Sequence, residues 1–243
     1  MNCTPGLALL ALVISCCQNF ILAGDVCTPK ANSDTSRSGQ CLQRCVVGVC
    51  NLSCNYDDCQ QTCVAGTCAL SCFDSRICSQ SCTIACPQLS CQADTCTQTC
   101  TKSDCPHMEC NATKECKQSC NHKNCKTMSC HAPDASCSQS GYGKMTCNSD
   151  SCTQSCTNNS CTLTCNATTC MQTCGTNDCS MTCLPGVKEC TQNCTSGECP
   201  FTCNKATTKC VQICPECRSS GIPLRATYVA LIILAFQSIS TLI

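Results

Sequence analysis

The chemistry open to this chain is sulfur chemistry. In "CTQSCTNNSCTLTCNATTCMQTCGTNDCSMTC" (152–183), eight cysteines fall alternately four and five positions apart. A thiol can be a redox nucleophile, a soft metal ligand or half of a disulfide, and spacing discriminates among these. Thiolate metal sites favour close C-x2-C pairs completed by His or Cys. The spacing here is x3 and x4, with x2 only in "CPEC" (214–217), at the end of the array. His107, His122 and His131 are scattered, and a redox reading of C-x-x-C needs a βαβ context. Disulfides are the expected state of these sulfurs, with no metal and no cofactor.

Other reactive patterns are weak. No Ser-His-Asp, paired-carboxylate or Gly-rich phosphate-binding constellation is visible, so a non-enzyme is expected. Asn51, Asn111, Asn158, Asn166 and Asn193 begin N-x-S/T sequons. Asn193 precedes a cysteine, Asn51 falls on an outward strand position, and most of the others sit in or beside turns.

Composition narrows the setting. Of 243 residues 41 are Cys, 3% are aromatic and 12% charged, with no Trp. Such a cysteine load implies a disulfide scaffold in an oxidising compartment, and so few large apolar side chains cannot fill a conventional core. Charges balance at 15 against 15 without a basic run, so nucleic acid is not an expected partner.

The ends read as addresses. An apolar run, "GLALLALVIS", followed by "ILAG" predicts a signal peptide over 1–23, cleaved after Ala23. Residues 24–40 form a lead-in, and 41–217 the cysteine-rich array. Ser219, Ser220 and Gly221 are three small residues ahead of a short spacer and an apolar tail from Tyr228 to Ile243. That order predicts a GPI anchor at Ser219, with attachment over 218–219 and a propeptide, 220–243, that is removed. The membrane partner is then reached through the GPI lipid alone.

Between the ends the chain repeats with a period of 18, because the centres of successive C-x3-C units alternate. One half-repeat centres on Gln, from "CLQRC" (41–45) through Gln139, Gln154, Gln172 and Gln192 to Gln212. The other centres on Leu52, Leu70, Leu89, Met108, Met128, Met145, Leu163, Met181 and Phe201, giving nine full units and a final half. A fixed period argues for stacked coils. In a strand, Cys, Gln and Cys of C-x-Q-x-C share one face. The outward positions are rich in Ser and Thr, which suit strands better than helix interiors. Connectors such as "TNNS" and "GTND" are turn chemistry.

The expected fold is therefore all-β, a disulfide-stapled β-solenoid of 18-residue coils with two short strands each, about 45 Å long at ~4.8 Å per coil. The competing architecture is a string of small four-Cys modules. "CPQLSC", "CPHMEC" and "CKTMSC" each add one residue before the apolar centre, which predicts a bulge stacked over three coils.

Two clues bear on pairing. In the sixth unit, "CSQSGYGKMTC", Gly141 and Gly143 stand where two cysteines should be, and joint loss suits bonded partners. Without Cys3, Cys16 and Cys17 of the signal peptide, 38 cysteines remain, an even number. Consecutive pairing then closes as Cys27–Cys41, Cys45–Cys50, Cys54–Cys59 and so on, through Cys156–Cys161, to Cys214–Cys217. The sixth unit, short of one bridge, is expected to open first.

These features point to a GPI-anchored, glycosylated extracellular protein of the cell surface or matrix, a mineralised matrix included. Its role would be structural or adhesive, with an extracellular protein or matrix component as partner. A secreted metal-binding protein is the alternative. A third reading is ice binding, since disulfide-rich solenoids with Thr-x-Thr faces resemble insect antifreeze proteins. Only "CTQTC" and "CTLTC" carry Thr at both outward positions, however.

Overall fold

The computed structural model describes residues 22–29, 39–102, 104–175, 178–197 and 199–214. Residues 1–21 of the expected signal peptide, Cys217, Ser219 and the 220–243 propeptide lie outside the described residues. The chain is all-β, with 78% strand and no helix, wound into a solenoid of about nine turns.

Twelve strands belong to one continuous sheet: β1 (Leu22–Pro29), β2 (Gly39–Val47), β3 (Val49–Cys54), β4 (Asp58–Cys63), β5 (Thr67–Cys82), β6 (Ala85–Cys100), β7 (His107–Cys120), β8 (Thr127–Cys174), β9 (Ser180–Cys183), β10 (Glu189–Cys194), β11 (Phe201–Cys203) and β12 (Lys209–Ile213). The two short strands expected per coil are separate only near the ends. In β5, β6 and β7 the turn from the Leu or Met half to the following Gln half stays extended, and β8 runs unbroken for 48 residues.

Parallel pairing sets like on like. Cys41, Gln43 and Cys45 lie beside Cys59, Gln61 and Cys63, and Cys50, Leu52 and Cys54 beside Cys68, Leu70 and Cys72. In strands such as β3 and β4 alternate residues are buried, as the two-residue period of a strand dictates. Spacing between stacked glutamines is not uniform. It runs from 15 residues (Gln139 to Gln154) to 21 (Gln118 to Gln139). Register survives because length changes are absorbed at the turns and bulges, so that the glutamine column and the Leu and Met column stay continuous. The bulge of the middle coils begins where Thr67 pairs with Ala85 but Ala69 with Gln88. It then stacks in register, Gln88 on His107 and His107 on Thr127.

The lead-in does more than introduce the array. β1 runs antiparallel to β2, placing Cys27 opposite Cys41 and Asp25 opposite Gln43. A bare first coil would leave a row of unpaired backbone groups on the Gln side, and β1 covers it.

The sixth coil fits its gap closely. Gly141 has φ +138°, and a Cβ there would stand 2.1 Å from the Cys120 carbonyl oxygen. Gly143 has φ +81°, and its Cβ would meet the Cys125 oxygen at 2.3 Å. The two glycines thus lie directly over the Cys120–Cys125 bridge of the coil below, and Tyr142 packs against the core between them. Only glycine combines that φ with that approach. Gly141→Ala is accordingly expected to lower stability by about 2 kcal/mol or more, read as a fall in thermal midpoint. The double change Gly141→Cys plus Gly143→Cys should not rescue a bridge, since two positive-φ positions and two backbone overlaps stand against it. A midpoint at or above that of the parent would contradict this.

Candidate functional site

The interior is built from a glutamine column, the Leu and Met column that faces it, and two columns of bridges. Glutamines form the first. Gln61 Nε2 donates to Gln43 Oε1 at 2.8 Å, Gln80 to Gln61 at 2.9 Å and Gln98 to Gln80 at 2.8 Å, always from the later coil to the earlier. The series continues through Gln118, Gln139, Gln154, Gln172 and Gln192 to Gln212. Most of these amides also donate across the rod to a backbone carbonyl of the facing strand, as Gln43 does to Ser53 and Gln98 to Glu109, at 3.0 and 2.9 Å. An amide has two donors and one strong acceptor, and a central Gln uses all of them. That is why Gln can stand at 0–2% exposure inside the rod. The facing Leu and Met residues bury without any such need.

Bridges form two columns, one along each edge of the rod. One edge carries Cys45–Cys50, Cys63–Cys68, Cys82–Cys86 and their successors. The opposite edge carries Cys54–Cys59, Cys72–Cys78, Cys91–Cys96 and so on. Each described bridge joins a cysteine to the next one in the sequence, Cys156–Cys161 included, and the pairs flanking the sixth coil are Cys130–Cys137 and Cys147–Cys152. Cys41 and Cys214 are also disulfide-bonded. The first edge packs its sulfur against Leu and Met, the second against small residues.

Those small residues were missed in the sequence. Ser75, Ala93, Ala112, Ala132, Ser149 and Ala167 are all buried, inside the turns of the second edge, with Ser75 beside Ala93 and Ala93 beside Ala112. For five of them the signal was C-x-A or C-x-S, in "CQADTC", "CNATKEC", "CHAPDASC", "CNSDSC" and "CNATTC", while Ser75 stands one place later in "CFDSRIC". A turn drawn in by its own bridge has room there for a methyl or hydroxyl and little more.

Groups of three potential metal-ligand atoms within 4.8 Å of one another do occur, all of them sulfurs, such as Cys63, Cys82 and Cys86 or Cys110, Cys116 and Cys130. Every sulfur in these groups is already in a bridge, and a bridged sulfur offers no thiolate. The histidines lie elsewhere. His107 Nδ1 is 3.0 Å from Thr127 Oγ1, His131 Nδ1 is 3.0 Å from Asn148 Nδ2, and His122 Nδ1 is 3.8 Å from Asp104.

Outside, the faces are hydroxyl-rich. On the Gln side Thr62, Ser81, Thr99, Ser119 and Ser140 share one column, paired coil to coil. The neighbouring column is broken by Lys117 and Met171, so a continuous Thr face does not form. An open groove of about 520 Å³ lies over the bulge, lined by Pro87, Gln88, His107, Glu109 and Ser129 among others. Among the sequons, Asn51, Asn111 and Asn166 are exposed and Asn193 is half-buried, while the Asn158 backbone lies in β8. Beside the Asn111 sequon, a hydrogen bond from Lys114 and a second from Thr113 hold the Asp94 carboxyl below its ordinary value of 3.8. What this cluster adds is present above that value and lost as pH falls through the lowered one.

The fold and its bridges define the class: a cysteine-rich, disulfide-stapled solenoid of the kind suited to an extracellular or secretory setting. No family model, no curated protein and no solved structure matches this chain. No helix among the described residues is long and apolar enough to cross a membrane.

Proposed function

We propose that this chain is a GPI-anchored, glycosylated structural or adhesive protein of the outer cell surface or extracellular matrix, a mineralised matrix included, without catalytic activity of its own. The observation that supports this best is the interior: two columns of buried bridges, a glutamine ladder and a facing column of Leu and Met. Such a rod is stiff, and its outer faces and ends are left to meet an extracellular protein or matrix component. The exposed side chains of Asn51, Asn111 and Asn166 are favourable positions for glycans, and Asn51 has only Ala69 beside it in the next coil. The anchor rests on the order of residues around Ser219, since Ser220 and Gly221 fill the next two small positions.

Phosphatidylinositol-specific phospholipase applied to intact expressing cells is expected to release the full-length rod into the medium. A rod that stays on the membrane while a sensitive control anchor is released would count against the GPI reading.

A further inference from the structure

The two ends of the rod differ in how they present sulfur. Every described cysteine from Cys41 to Cys199 is at most 5% exposed. At the N-terminal end this holds because β1 lies over the first coil. At the other end Cys203–Cys210 closes the last described turn, with Cys203 half-buried and Cys210 exposed. The register places Cys210 directly beside Cys190, and the sulfurs of Cys190, Cys203 and Cys210 all lie within 4.8 Å of one another.

We propose that Cys203–Cys210 is a thiol-exchange site that accepts an anionic thiolate at Cys210 and passes the displaced charge to the coil beneath. Exchange needs access for the attacking sulfur and a second sulfur near the leaving one. In this chain the described bridge that meets the first condition also meets the second. The incoming thiolate bonds to Cys210 Sγ, the Cys203–Cys210 bond breaks, and the electron pair leaves on Cys203. The Cys203 thiolate then bonds to Cys190 Sγ, the Cys183–Cys190 bond breaks, and the thiolate ends on Cys183. One thiolate is consumed and one is produced, so the number of bridges is unchanged and no oxidant or reductant is needed. The preference for an anion comes from the turn that the bridge closes: 204–209, "NKATTK", carries Lys205 and Lys209, both exposed, and no acidic residue. An extracellular partner with an accessible thiol could thereby be joined covalently to one end of the rod while the other bridges stay in place.

Reduced glutathione is the probe. The oxidised, full-length mature protein is incubated with it in native buffer, quenched in acid, alkylated and mapped by mass. Glutathione is expected on Cys210 about ten times faster than on buried bridges such as Cys156–Cys161, together with a Cys190–Cys203 peptide and alkylated Cys183. Uptake at similar rates on buried bridges would overturn the site. Glutathione on Cys210 without any Cys190–Cys203 peptide would overturn the transfer. A second variant, Lys205→Glu with Lys209→Glu, keeps every cysteine. It should slow glutathione several-fold and leave cysteamine, whose thiolate is balanced by its own ammonium group, unslowed, whereas equal slowing of both would overturn the anionic preference.

Discussion

Full reduction of the rod in native buffer, without denaturant, is expected to abolish its strand structure. Circular dichroism should pass from a β spectrum to that of an unfolded chain. Leu or Met supplies one large apolar side chain per coil, worth roughly 1.5–3 kcal/mol when buried. Ordering the backbone costs about 1–2 kcal/mol per residue, so that contribution alone cannot hold a coil. Each bridge closes a loop of separation 4 to 7, and a six-residue loop removes about 2 kcal/mol worth of unfolded-chain entropy. A folded domain typically keeps only about 5–15 kcal/mol in all, so losing several bridges exceeds the margin. Retention of the β spectrum after complete alkylation would show that the ladder and core suffice without sulfur. Under partial reduction, trypsin is expected to make its first internal cut at Lys144, which is exposed in the one coil whose first-edge bridge is replaced by glycines. Early cleavage spread over all turns would contradict that.

Gln98→Glu should be the most damaging single change within the ladder, costing about 3–5 kcal/mol or preventing secretion altogether. Gln98 is 0% exposed. Its amide donates to Gln80 Oε1 at 2.8 Å and to the Glu109 carbonyl at 2.9 Å, and its own oxygen accepts from Gln118 at 2.8 Å. A carboxylate can keep only the last of these bonds. It leaves two buried acceptors facing an acceptor and introduces an uncompensated buried charge. Gln98→Leu removes the polar atoms without adding charge and is expected to cost less, because unpaired neutral amides remain instead. Secreted yield and thermal midpoint, compared across parent, Leu and Glu variants, give the ordering. A Glu variant as stable as the parent would mean that the ladder contributes little to the fold.

Much of this architecture is legible in the amino-acid order alone. The recurring alternation of C-x-Q-x-C with Cys-flanked Leu or Met has the two-residue period of a strand, and its recurrence leaves stacking as the way to bury so many equivalent residues. The joint replacement at Gly141 and Gly143 is legible as a missing pair, and in the fold both sit over Cys120 and Cys125. The alanine and serine column at Ala93, Ala112 and Ser149 is present in the sequence as well, yet it is overshadowed by cysteine. A small residue in a turn looks like any other turn residue until the bridge is seen to draw it inward.

By itself the sequence determined the strand faces, the stacking and the neighbours in the ladder, because local periodicity decides which side chains point inward and a repeat decides what each meets in the next coil. Properties that depend on ends and on depth arise only once the coils are stacked. Nothing local to "LAGDVCTP" says that it turns back antiparallel over the first coil. Nothing local to Cys210 distinguishes it from the other bridged cysteines, since its exposure arises from standing at the end of the stack. The second donor of most glutamines is likewise a tertiary matter, for it crosses to a strand about ten residues away whose carbonyl is aimed inward only once the coil has closed.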